Sequence, residues 1–147
     1  MEIKSVECSK YSLTELSVLL FELLEATYVQ SPWSEKYLMT DLEATTSHYL
    51  LAFERGRLIG MLAFSRLMDE LEITNLAVHP EFQGQGIATK LLTELSAFPG
   101  QLFLEVRASN HAARHCYEKF GFKIYHTRKN YYDKPLEDAL LMRKEQF

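Results

Sequence analysis

Cysteine is scarce: Cys8 and Cys116 are the only two in 147 residues. They show neither metal-ligand spacing nor a disulfide framework, which excludes a stapled or zinc-built scaffold. Long apolar runs are missing too. No stretch approaches the ~18 residues of a membrane-spanning helix. The opening Met1-Glu2-Ile3-Lys4 has no apolar run behind it, so no signal peptide is expected. There is no basic excess either, since 16 Lys and Arg stand against 20 Asp and Glu, for a net charge of −4. A nucleic-acid surface needs clustered Lys and Arg to neutralise phosphates, so nucleic acid is excluded as the main partner. The five histidines are dispersed, and no metal is expected. Internal repeats, linkers and low-complexity runs are absent. The hydrophobic fraction of 47% then fits one soluble domain spanning residues 1–147, with a cytoplasmic location as the simplest expectation.

What is present centres on residues 73–92. Ile73-Thr74-Asn75-Leu76-Ala77-Val78 reads as an apolar strand, His79-Pro80 as its stop, and Gln83-Gly84-Gln85-Gly86 as a glycine-spaced turn. A helix follows, with Ile87, Leu91, Leu92 and Leu95 on one face. A helix start leaves backbone N–H groups unpaired, and the helix dipole adds positive character there. Such a turn suits a phosphate or pyrophosphate, and it also suits an ordinary strand-to-helix connection. The Lys-Ser/Thr pair of a Walker A loop is missing. So are the third glycine and the distant acidic residue of a dinucleotide fingerprint.

The rest of the chain supplies a mixed sheet and helices. Residues 3–8 are expected to form a strand. Ser12-Leu13-Thr14-Glu15 is a capping-box pattern, and Leu13, Leu16, Leu20, Leu23 and Leu24 mark the buried face of a helix to about Tyr28. Ser31-Pro32-Trp33-Ser34 breaks that helix and starts another, capped by Ser34 or Ser31, with Leu38 and Leu42 inward. Trp33, the only tryptophan, reads equally as a core anchor and as a wall of a substrate groove. Residues 48–54, 58–68 and 71–78 read as three antiparallel strands, and 101–107 as another. Strand, glycine turn, helix and strand in that order imply a crossover, hence one parallel pair in an otherwise antiparallel sheet. Asn110 caps a helix with Ala113, Cys116, Tyr117 and Phe120 on one face, closed by Gly121. Residues 122–132 and 136–143 form a closing hairpin. The fold class is α+β, a mostly antiparallel central sheet flanked by about four helices.

Gln83, Gly86 and Ala88 match the pyrophosphate loop Gln/Arg-x-x-Gly-x-Gly/Ala of the GCN5-related N-acetyltransferases (GNAT), which this chain resembles. Leu104-Glu105-Val106-Arg107-Ala108-Ser109-Asn110 and Tyr117-Glu118-Lys119-Phe120-Gly121-Phe122 look like the second half of that acyl-CoA acyltransferase fold. Pro32-Trp33-Ser34, Arg128-Lys129-Asn130-Tyr131-Tyr132 and Glu137-Asp138-Ala139-Leu140 are similar to one branch, the bacterial ribosomal-protein-alanine N-acetyltransferases. The similarity runs from Trp33 to Met142. One departure is visible: the segment between Leu92 and Leu102 is short for that branch, so the helix after the loop is expected to be trimmed.

The resemblance implies direct attack of an amine on the thioester of acetyl-CoA. It assigns Glu105 as the carboxylate base and Tyr117 as the acid that protonates the departing thiolate. It further implies that Leu76, Ala77 and Val78 offer backbone groups to the pantetheine arm. Gln83, Gly84, Gln85, Gly86, Ile87 and Ala88 would hold the pyrophosphate, and Asn110 would touch the arm. Read as residues alone, Glu105 also fits a surface carboxylate paired with Arg107, and Tyr117 also fits a core aromatic. Cys116 has no partner that would make it a nucleophile and reads as core.

The expected acceptor is the N-terminal α-amino group of a protein, foremost the N-terminal alanine of a small-subunit ribosomal protein. A broader enzyme acetylating lysines, other N-termini or small amines is the first alternative. A non-catalytic acyl-CoA-binding module is the second, disfavoured by the presence of both Glu105 and Tyr117.

Overall fold

The structure is a computed structural model that describes residues 1–28 and 31–147. One seven-stranded sheet runs through it in the order β1-β2-β3-β4-β5-β7-β6. The strands are β1 Glu2–Ser5, β2 Ser47–Glu54, β3 Arg57–Leu67, β4 Glu70–Val78, β5 Gly100–Arg107, β6 Lys123–Tyr132 and β7 Glu137–Gln146. The helices are α1 Leu13–Thr27, α2 Glu35–Glu43, α3 Ile87–Thr93 and α4 His111–Phe120. All strand pairs are antiparallel except β4 with β5, which the crossover through α3 makes parallel.

Local chemistry explains the boundaries. The capping box at α1 is complete. Ser12 Oγ accepts from the Glu15 N–H at 3.1 Å, and Glu15 Oε1 accepts from the Ser12 N–H at 3.0 Å. Ser34, not Ser31, caps α2 by accepting from the Tyr37 N–H. Gly121 ends α4 in the left-handed conformation at φ 114°. The expected trimming of the helix after the glycine turn is found, since α3 stops at Thr93.

Two expectations on strand length change. The first strand ends at Ser5, because Val6–Cys8 closes into a 3₁₀ turn through the Ser9 N–H to Val6 carbonyl bond. That turn brings Tyr11 back to stack on Phe53 and delivers α1 to the sheet. At the other end, β7 runs on to Gln146 because its polar tail pairs with Gly100, Gln101 and Leu102 of β5. Burial by sequence pattern alone had no reason to extend it.

Each face of the sheet carries its own core. On one, Leu16, Leu20, Leu23 and Leu24 of α1 with Leu38 of α2 pack on Leu51, Met61 and Ala77. On the other, Leu91 and Leu92 of α3 and Tyr117 of α4 pack on Leu62, Leu71, Leu102, Leu104 and Val106. Among the described residues, no helix is long and apolar enough to cross a membrane.

Candidate active site

The site begins where β4 and β5 part. They pair only from Glu70 with Gln101 to Ile73 with Leu104. Beyond that point each keeps only its other neighbour: Leu76 to Val78 stay on β3, and Glu105 to Arg107 stay on β7. The divergence coincides with a bulge. Asn75 lies opposite Ala63 while Ile73 lies opposite Phe64, so Thr74 is the extra residue. A bulge bends and twists its strand, which steers β4 away from β5. The fork leaves a cleft of about 240 Å³ lined from both faces of the sheet.

Strand alternation sorts its walls. Val106 belongs to the core under α3 and α4, so Glu105 points to the opposite face. Glu105 is partly exposed, and its Oε1 accepts from Arg128 Nη1 at 3.3 Å. The same face presents Tyr28, Trp33 and Tyr132 to the cleft. The Tyr28 hydroxyl reaches Asn75 Oδ1 at 3.4 Å, a long contact to one of the two buried polar side chains among the described residues. Trp33 is half-buried against the α1–α2 core and also lines the cleft. Burial, then the charge of Glu105, raises the phenol of Tyr132 above its ordinary value. The same two causes raise the carboxyl of Glu72, which lies alongside Phe103 on β5.

Tyr117 approaches from the other face, on α4. Its ring is buried and meets Phe122 edge-on at 5.8 Å, yet it lines the cleft. Among the described residues its hydroxyl has no hydrogen-bond partner. Burial, and after it the neighbouring Tyr28, Cys116 and Tyr132, push this phenol well above its usual value, so it stays protonated through neutral and mildly alkaline pH. Asn110 caps α4 by accepting from the Ala113 N–H at 3.3 Å and stands at the cleft edge.

The glycine turn lies beyond the end of β4. Gly84 and Gly86 have φ of 78° and 79°, a left-handed conformation open to glycine at little cost. A Cβ built at either would meet nothing within 4 Å, so the space above them is open. The first backbone donor bonded back in α3 is the Lys90 N–H, to the Gly86 carbonyl at 3.0 Å. The N–H groups of Gly86, Ile87, Ala88 and Thr89 have no acceptor among the described residues, a ready cradle for an anion. Gln83 does something local: its Nε2 donates to the Val78 carbonyl at 3.0 Å and caps the strand end. The His79 N–H donates to the Ile59 carbonyl. Alternation therefore turns the peptide groups of Ala77 toward β3 and those of Leu76 and Val78 toward the open fork.

The cleft brings together Glu105, Tyr117, Leu76 and Asn110 of the residues singled out in the sequence. Ala77, Val78 and the 83–88 turn continue from its end along β4. Sequence reasoning missed Tyr28, Asn75 and Arg107 as lining residues, and took Tyr132 only as part of a tail motif. A signal existed for Asn75, a lone amide inside an apolar strand. Arg107 does not pair with Glu105: its partner is Glu137 at 3.1 Å. Among the described residues, no group of three or more His, Cys, Asp or Glu has the placement to hold a metal ion.

A family model described as the acetyltransferase (GNAT) family matches residues 17–122. A protein of Haemophilus ducreyi named [ribosomal protein bS18]-alanine N-acetyltransferase is 38% identical over 131 residues, covering 84% of this chain and 89% of its own. A Mycobacterium tuberculosis protein named N-alpha-acetyltransferase RimI is 36% identical over 120 residues, 78% of this chain and 76% of its own. Among solved structures, the ribosomal-protein-S18-alanine N-acetyltransferase from Escherichia coli superposes with a TM-score of 0.84 at 27% identity, covering 99% of this chain and 94% of that one.

Proposed function

The chain belongs to the GNAT acetyltransferase family, with acetyl-CoA as its acetyl donor, and we propose that it acetylates the N-terminal α-amino group of a protein. The acceptor we infer is the N-terminal alanine of a ribosomal protein, the substrate class named for relatives at 35–39% identity. A cytoplasmic location goes with that acceptor. The observation that carries the reading is the fork: Glu105 and Tyr117 enter one cleft from opposite faces of the sheet.

In this reading the donor lies along the open edge of β4. Leu76 and Val78 offer backbone groups to the pantetheine arm, one of them polarising the thioester carbonyl. The N–H groups of residues 86–89 hold the pyrophosphate, and Asn110 borders the arm. The acceptor enters from the face of Tyr28, Trp33, Tyr132 and Glu105. Glu105 takes a proton from the α-ammonium, and the neutral nitrogen attacks the thioester carbon. The C–N bond forms, the nitrogen gives up its second proton to solvent, the C–S bond breaks, and coenzyme A leaves as thiolate. Tyr117 donates a hydrogen bond to the developing sulfur charge. Its raised phenol is a weaker acid than free tyrosine, so Tyr117 keeps its proton and the proton that ends on sulfur comes from solvent.

The α-amino group suits this site better than lysine does. Its pKa near ~8, against ~10.4, leaves roughly 250-fold more neutral amine at pH 7. A partly exposed carboxylate can supply the small remaining deprotonation. The test is acetyl transfer from acetyl-CoA to peptides of one sequence starting with alanine, or blocked at the N-terminus and carrying a lysine. Preference for the blocked lysine peptide would overturn the N-terminal assignment.

A further inference from the structure

Arg107 sits at the end of β5, on the acceptor face of the fork, and its guanidinium is spent entirely on one neighbouring segment. Nη1 donates to the Pro135 carbonyl at 3.0 Å and to Glu137 Oε1 at 3.1 Å, and Nη2 donates to the Asp133 carbonyl at 3.2 Å. The guanidinium also lies over the Tyr132 ring at 4.4 Å. Glu137 carries the link further, because its Oε2 accepts from the Ser109 N–H at 3.0 Å. Ser109 directly precedes Asn110, the cap of α4. Hydrogen bonding from Ser109, with Arg107 beside it, holds the Glu137 carboxyl below the usual carboxylate range, so the link is charged at neutral pH.

We propose that Arg107 is a positioning residue for acceptor binding: it fixes residues 132–137, the segment that holds Tyr132 in the acceptor wall of the cleft, and ties that segment, through Glu137, to the start of the helix that carries Tyr117. This rests on the reading that the Tyr132 face receives the acceptor. The 132–137 segment has little else to hold it. β6 and β7 lose register between Arg128 and Tyr132, and their last pair is Tyr132 with Glu137. Leu136 is largely exposed. A planar fork with several donors spans separate acceptors, which a single ammonium on a flexible stem does not.

The test compares the wild-type chain with Arg107→Ala, Arg107→Lys and Tyr132→Ala, using acetyl-CoA and a peptide beginning with alanine. Arg107→Ala should raise the acceptor KM at least tenfold while kcat changes less than about threefold. The acetyl-CoA Kd, read by calorimetry, should stay within about twofold. Arg107→Lys should behave like the alanine variant, and the effects of Arg107→Ala and Tyr132→Ala should fail to add. A general structural role would lower kcat and acetyl-CoA affinity as well, or be rescued by lysine, and either result overturns the proposal. Hydrogen exchange is read in parallel and needs no acceptor. Amides of residues 130–136 should exchange at least tenfold faster in Arg107→Ala and Arg107→Lys, with β5 and β7 unchanged. If the wild-type chain transfers nothing to any N-terminal peptide, the acceptor reading fails and exchange alone decides. A segment as protected in both variants as in the wild type overturns the positioning role.

Discussion

Arg128 reaches diagonally over β7 to place its Nη1 3.3 Å from Glu105 Oε1. Its own partner on β7 is Ala139, whereas that of Glu105 is Leu141. Both side chains are partly exposed, and such pairs contribute about 0–1 kcal/mol. The pair therefore cannot explain a large functional loss through stability, which makes Glu105 a clean target.

Glu105→Gln should lower turnover by ~10²-fold or more at neutral pH, the usual share of general-base catalysis. Unfolding midpoints should move little, and acetyl-CoA affinity should hold, because Glu105 lies on the proposed acceptor face. The deficit should shrink as pH rises toward ~8, where an α-amino group deprotonates unaided. A variant with full activity at pH 7 would remove Glu105 from the chemistry.

The glycines separate strain from crowding. Gly86→Val places a β-branched residue at φ 79° with nothing within 4 Å of its Cβ. Its cost is backbone strain, about 1–2 kcal/mol, together with weaker acetyl-CoA binding where the N–H cradle distorts. Gly100→Ala is the opposite case, since its Cβ would collide with the Asp69 carbonyl at the start of the β4–β5 pairing. It should cost at least the upper end of the ~1–3 kcal/mol typical of overpacking. Thermal unfolding and calorimetric titration of both variants would check the contrast, and a stable Gly100→Ala chain would be the surprise.

Burial of Tyr117 also has a stability signature. The unfolded chain gives up a phenol proton near pH ~10, while the folded chain holds this one to higher pH. Between those values the folded state binds more protons, so stability falls as pH rises through that window. Below pH ~10 the group is protonated in both states and contributes no pH dependence. Tyr117→Phe should flatten the alkaline loss in denaturant unfolding and leave the slope at neutral pH alone. An unchanged alkaline slope would mean the hydroxyl is solvated in the folded chain.

Much of this was legible in the sequence because it is local. The capping box at Ser12, the left-handed glycine at 86 and the apolar face of α4 each depend on residues within a few positions. The fork was not, because the bulge at Thr74 is defined only against β3, and β5 leaves β4 only in space. Arg107 shows the limit best. Two positions from Glu105 on the same strand face, it invites a pairing of the two, yet its fork finds three acceptors on a segment some thirty residues later. Glu105 is left to Arg128. Tyr132 enters the cleft from the end of β6 and Tyr28 from the end of α1, and no periodicity encodes where those ends lie.

Tyr117→Phe separates packing from chemistry, because it keeps the ring against Phe122 and removes only the hydroxyl. Since that hydroxyl has no hydrogen-bond partner among the described residues, its loss should cost no more than about 1 kcal/mol of stability. If it donates to the departing sulfur, turnover should still fall by ~10²-fold or more, with the acceptor KM and acetyl-CoA Kd nearly unchanged. The size of the fall should depend on the leaving group. An acetyl thioester of a thiol with a low pKa releases a thiolate that needs no such help, so the gap between wild type and variant should narrow along a series of increasingly acidic thiols. A gap that stays constant across the series would mean that the hydroxyl positions the donor and takes no part in stabilising the sulfur. A variant with wild-type turnover would return Tyr117 to the core and leave the thiolate to solvent.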